Sequence, residues 1–104
     1  MKIFENLAKA ELAVPSQTSR LVKIGEERIC LVNQLNNFYA LADRCPHMGA
    51  SLSEGKINFI GEVICPLHEY RFNSKTGQEC ANKCEQSKTY LIRVDDSGVY
   101  IQLN

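Results

Sequence analysis

The chain has 104 residues, with 12 Lys plus Arg against 12 Asp plus Glu and a formal net charge of zero. That length suits one domain with one core, and the balanced charge excludes a field of one sign that would recruit nucleic acid or an anionic membrane. Residues 1–5 lack the apolar run of a secretory signal, and no stretch approaches the ~18 apolar residues of a membrane span, so a soluble, cytoplasmic protein is expected.

In chain order, residues 5–14 have weak helical character. Leu7, Ala8 and Leu12 can share a face and Pro15 ends the segment, so a short helix and an irregular lead-in strand both stay open. Residues 17–24 and 27–33 are rich in Leu, Val and Ile, and Gly25-Glu26 between them reads as a hairpin turn. Asn36-Asn37 forms a second turn, since Asn tolerates positive φ, and residues 38–42 follow as a strand. Gly61 precedes a short strand at residues 62–64. The closing hairpin runs through 88–94, turns at Asp95-Asp96-Ser97-Gly98 and returns over 99–103. Short strands punctuated by turn signals predict an all-β fold, an antiparallel sandwich or partly open barrel. No repeat, linker or low-complexity stretch interrupts it.

The chemistry is concentrated at two places. His47 and His68 are the only two histidines, and each follows a Cys-Pro pair, in Cys45-Pro46-His47 and Cys65-Pro66-Leu67-His68. Both segments come just after expected strands, so two loops at the ends of a scaffold can close on one centre. In a reducing compartment, five cysteines point to metal ligation before disulfides. Sulfur and imidazole donors suit zinc, copper or iron–sulfur chemistry and not calcium or magnesium. Structural zinc sites usually place two cysteines on one knuckle, whereas here each arm offers one Cys and one His. A two-iron cluster with two Cys on one iron and two His on the other needs that division of ligands.

With these residues the chain resembles the Rieske family, whose Cys-x-His and Cys-x-x-His pattern is matched by Cys45, His47, Cys65 and His68. Flanking residues agree: Phe38-Tyr39-Ala40-Leu41 before the first loop, residues 49–55 after it, and Arg71-Phe72 with Thr76-Gly77 after the second. The resemblance implies one [2Fe–2S] cluster, Cys45 and Cys65 holding the inner iron and His47 and His68 the outer. It also implies a cluster-binding subdomain at about residues 43–77 on a base made of 1–42 and 78–104, within one domain spanning 1–104. Pro46 and Pro66 stiffen the loops.

High-potential members of the family have a further Cys in each loop, joined as a disulfide; the matching positions here are Ala50 and Leu67. They also carry a Ser two residues after the second His, where this chain has Tyr70. Hydrogen bonds to the sulfurs favour the reduced cluster, so their loss implies a low potential. Glu69 stands where relatives usually have Gly. Either its torsion is ordinary or strain is tolerated there, and its carboxylate opposes addition of an electron.

No histidine remains to build a second, catalytic iron site, and the chain is too short for a catalytic domain. An electron carrier is therefore expected and not an enzyme. The first reading is a ferredoxin passing single electrons from a flavin-dependent reductase to a terminal, ring-hydroxylating type oxygenase. The alternatives are the small subunit of an assimilatory nitrite reductase, whose large subunit would be the acceptor, and a structural zinc module. Cys30, inside an apolar run, is expected to be a buried inert thiol. Cys80 and Cys84 read as free thiols near the site, Met48 and Leu67 as an apolar lid, Arg44 and Arg71 as a solvated or salt-bridged rim, and Asp95-Asp96 as a turn.

Overall fold

A computed structural model describes residues 1–46, 49–67 and 69–103. Strand β1 (Lys2–Phe4) and helix α1 (Leu7–Ala13) lead into β2 (Thr18–Ile24), β3 (Glu27–Gln34) and β4 (Asn37–Ala42). Then come a 3-10 turn (Leu52–Glu54), the short strands β5 (Lys56–Ile57), β6 (Glu62–Ile64) and β7 (Arg71–Asn73), and the closing hairpin β8 (Thr89–Asp95) and β9 (Gly98–Gln102). All pairings are antiparallel. Six strands form one open sheet in the order β1-β9-β8-β4-β3-β2, and three form a second in the order β5-β6-β7.

Strand β3 explains the layering. Side chains alternate across a strand, and here both sets are buried: Ile29 and Leu31 join one core with Ala10, Val14, Phe38, Ala40, Tyr90, Val99 and Ile101. Cys30 and Val32 join a second core with Leu41, Cys45, Leu52, Val63, Cys65 and Phe72. The large sheet therefore lies between α1 and the small sheet. That is why residues 29–32 read as a continuous apolar run and not as an alternating one.

The segment at 5–14 resolves to a helix. Asn6 caps it, its side chain accepting from Lys9 N at 2.9 Å. Its buried face is not the expected one: Ala10 and Val14, one helical turn apart, are buried, while Leu7 and Leu12 are exposed. Short Ala side chains let the helix lie close to the sheet, and a Leu there would hold it off. The second turn also shifts by one residue. Leu35 and Asn36 take the left-handed torsions (φ 52° and 69°), and Asn37 starts β4. Strands β1, β5 and β7 have no counterpart among the predicted elements. Each has at most three residues and gains its pairing from a neighbour instead of from a pattern of its own. The turn at Asp95 is as expected, with Ser97 N and Oγ both donating to Asp95 Oδ1.

Two glycines separate torsion from crowding. Both Gly25 (φ 59°) and Gly77 (φ 79°) are left-handed, but a Cβ at Gly25 meets open space and one at Gly77 strikes the Ser87 carbonyl oxygen. Gly25→Ala should lower stability by about 1 kcal/mol, the torsional term alone. Gly77→Ala should lower it by at least ~2 kcal/mol, because it adds an overlap that only backbone movement relieves. Urea unfolding of the two variants checks the difference; equal midpoints would contradict it.

Candidate metal centre

Strand β4 delivers the first cysteine. Asp43 N donates to Arg28 O at 3.0 Å, Leu52 N donates to Asp43 O at 2.6 Å, and Arg44 forms a bridge to Ser51. Asp43 itself is buried, and its carboxylate accepts from Ser51 Oγ and, at 2.7 Å, from Ser53 N. One side chain thus ties the start of the first loop to its end. Strand β6 delivers the second cysteine, flanked by β5 and β7 and floored by Val63 and Phe72.

The two loops are closed in the same way. Cys45 N donates to Ala50 O at 2.8 Å, and Cys65 N donates to Tyr70 O at 2.7 Å. In each, the partner lies five positions after the cysteine, and the residue before it is left-handed: Gly49 (φ 76°) in the first loop and Glu69 (φ 56°) in the second. Glu69 therefore occupies the place that Gly49 fills in the other loop. Of the two possibilities for Glu69, its torsion is the strained one. His47, Met48 and His68 lie outside the described residues.

Cys45 is 1 % exposed and Cys65 fully buried, and they share one core. Burial pushes the Cys65 thiol up to about 11, against a backbone hydrogen bond from Leu67, and the neighbouring Cys45 and Cys84 sulfurs push it in the same direction. Two buried sulfurs side by side, with the Cys65 thiol held neutral by its burial, fit a metal centre well. The thiolate is the binding species, and a cation supplies the charge that lets both form it.

A third segment, residues 78–88, closes over the pair. Glu79 is buried and accepts from Ala81 N at 2.8 Å and Lys83 N at 2.9 Å, with the Cys80 thiol donating to its other oxygen. Burial opposes its ionisation, yet the backbone donors of Lys83 and Ala81 hold the carboxyl below its usual range. This ordered turn sets Lys83 over the Tyr70 ring at 5.5 Å and packs Cys84 against the core that contains Cys45 and Cys65. The sequence marks Cys84 only as a spare thiol; nothing in its spacing from Cys80 shows that it reaches the centre. A cleft of about 630 Å³ separates Arg44, Cys45, Pro46 and Gly49 from residues 85–88.

Other expected roles fall into place around this core. Cys80 is exposed, as a free thiol, and Leu67 is partly exposed. Arg71 pairs with Glu62 at 3.8 Å, the salt-bridged role anticipated for it. Cys30 is buried, and burial raises its thiol to about 12.

The model of the Rieske [2Fe-2S] domain matches residues 4–94. The chain belongs to the Rieske family. Membership brings a Rieske-type [2Fe–2S] cluster with it, and the structural zinc reading is set aside. Among Rieske relatives, the 3-phenylpropionate/cinnamic acid dioxygenase ferredoxin subunit of Shigella boydii serotype 4 is 41 % identical over 76 residues, 72 % of either chain. Its counterpart in Escherichia coli K12 is 40 % identical over the same share. The Rieske fold here superposes with a TM-score of 0.80 on a structure described as a complex of reduced oxygenase and oxidised ferredoxin in carbazole 1,9a-dioxygenase, at 26 % identity, covering 98 % of this chain and all of that one. A putative small subunit of nitrite reductase scores 0.79 at 27 % identity, covering 98 % and 96 %.

Asp43→Ala should remove the tie between the ends of the first loop and lower stability by about 1 kcal/mol, since it leaves the partly buried Ser53 N without its acceptor while Ser51 Oγ keeps Ser53 Oγ as a partner. It should also lower the iron retained per chain after gel filtration; full retention would show that the loop holds its shape without the carboxylate. Thiol labelling tests burial separately. At pH 8 iodoacetamide should modify Cys80 in the folded protein and spare Cys30, whose thiolate is scarce until the pH nears 12.

Proposed function

We propose that this chain is the ferredoxin component of a dioxygenase system, a carrier of single electrons from a flavin-dependent reductase to a terminal oxygenase. Cys45 and Cys65 would hold one iron of the cluster and His47 and His68 the other. The observation that carries the reading is the identity of 40–41 % to proteins named as dioxygenase ferredoxin subunits. The likeness to a structure of an oxygenase with its ferredoxin supports the acceptor. Residues 43–77 form the cluster-binding subdomain on the base made by 1–42 and 78–104.

When bound, the cluster supplies reversible one-electron chemistry. The chain's own residues do the rest. Asp43 and the two closing hydrogen bonds hold the cysteine loops in register, so little protein has to move when an electron is added or lost. The core of Cys30, Val32, Leu41, Leu52, Val63 and Phe72 keeps water from the inner side. Glu69, exposed at the second loop, places a negative charge beside the ligand position at 68. Tyr70 is partly buried against the same core, and its place in the chain is the one where high-potential relatives have their hydroxyl donor. Together these features favour the oxidised state.

The purified protein should contain two irons and two acid-labile sulfides per chain. Its midpoint should lie near −150 mV, the low end of the Rieske range, and Glu69→Gln should raise it. A midpoint above roughly +100 mV would show that a strong donor to the sulfurs has been missed. Reduced protein should deliver its electron to the terminal component of an aromatic-acid dioxygenase. Stable co-purification with a large nitrite reductase, with no transfer to the oxygenase, would favour the small-subunit reading, for which the likeness at 27 % identity speaks.

A further inference from the structure

Three cations stand in a row beside the first cysteine loop. Lys23 of β2 is the register partner of Arg28 on β3, and Arg28 and Arg44 line one pocket of about 110 Å³ together with Asp43, Gly49 and Ser51. Arg44 lies across the left-handed corner of the loop, where a Cβ on Gly49 would stand 3.3 Å from its Nε and 3.4 Å from its Nη2. All three cations are exposed.

In a chain of zero net charge, these positive charges are left without a counterpart. Elsewhere Arg71 pairs with Glu62 and Lys88 with Glu27. Among the described residues no carboxylate forms an ion pair with Lys23, Arg28 or Arg44, neither Glu26 in the β2–β3 turn nor Glu85 across the larger cleft. Asp43 borders the small pocket, but it is buried and its two oxygens are taken up by Ser51 Oγ and Ser53 N. Like charges directly opposite each other on adjacent strands cost stability. The row is thus unfavourable to the isolated fold and becomes favourable once an anion meets it.

We propose that the pocket between Arg28 and Arg44 receives a carboxylate side chain of the protein that takes this chain's electron, so that the acceptor docks through an acidic patch. The proposal rests on the electron-carrier reading and names the chemistry of its partner. A guanidinium matches a carboxylate, since its planar fork of N–H donors can meet both oxygens at once. A pocket of this size admits a carboxylate head and is too small for a nucleotide or other ligand of that bulk. Its walls are the loop itself: Arg44 precedes Cys45 in the chain, and Gly49 donates its N–H to Cys45 O at 2.8 Å. A partner anchored there is held against the segment that carries the first cysteine. Lys23 extends the positive row along the sheet, where a second acid of the patch can meet it.

Fluorescein-labelled hexaglutamate serves as the probe. On the cluster-loaded protein at low salt its fluorescence anisotropy should rise to saturation, and added salt should weaken the binding. Arg28→Gln and Arg44→Gln should each weaken it about five- to tenfold, with the visible spectrum of the cluster unchanged. Arg28→Gln should also keep or raise the melting temperature, because it relieves the repulsion with Lys23. Lys9→Gln, which removes an equal charge from α1, should bind as the parent does; an equal loss there would mean that net charge alone is at work and would overturn the proposal. So would inorganic phosphate held more tightly than the peptide, the mark of a small-anion site. With the terminal component of an aromatic-acid dioxygenase, both arginine variants should slow electron transfer by a similar factor and flatten its dependence on salt. Transfer at the parent rate in both variants would overturn the site and leave the ferredoxin reading standing. No transfer from the parent itself, with hexaglutamate still bound through the arginines, would overturn that reading and leave the site intact.

Discussion

A strand buried on both faces imposes its own geometry on everything around it. Strand β3 has to be covered twice, and its two rows of side chains set what each cover can be. Ile29 and Leu31 call for a helix with small residues toward the sheet, which Ala10 and Ala13 provide. Cys30 and Val32 call for a second sheet, and the residues that answer them include Cys45 and Cys65. The two loop cysteines are thus built into the wall of a hydrophobic core instead of being mounted on a surface. That wall is dry because β3 already required it to be.

The loops add precision to that position. Each is a six-residue ring from the cysteine to the carbonyl that closes it, 45–50 and 65–70, with a left-handed residue in the fifth place. The two rings arise from unrelated stretches of sequence and are fixed by different means. Asp43 braces the first, and a small three-stranded sheet braces the second. The segment at 78–88 then lies across both, ordered by the buried Glu79 carboxylate.

How much of this could be read from the residues varied with how local each signal was. The hairpin at 17–33 and the closing hairpin were legible because their strands carry strong apolar content around clear turn residues. The meeting of the two cysteines was legible because each Cys-Pro pair follows an expected strand, so that two loops at the ends of one scaffold close on one core. Helix α1 was legible only in outline, since a seven-residue helix docked through two alanines has almost no hydrophobic periodicity to detect. The short strands β1, β5 and β7 were not legible, for their partners lie far along the chain or depend on the loops having already folded. The same holds for Cys84, whose nearness to Cys45 is a product of tertiary folding and leaves no trace in spacing. Glu69 lay in between: its departure from the usual Gly was visible, but only the matching torsion of Gly49 explains what the backbone asks of it.

That equivalence between the two rings carries a consequence for how such a protein can change over time. With a hydrogen bond closing each ring at a fixed position, adding or deleting one residue inside it would move the left-handed corner off its place and turn the ligand side chains out of phase. Replacing one residue by another leaves the closure intact, as a glutamate in a glycine's position illustrates. The two loops are therefore open to substitution and closed to insertion, and variation in length is confined to the turns between them.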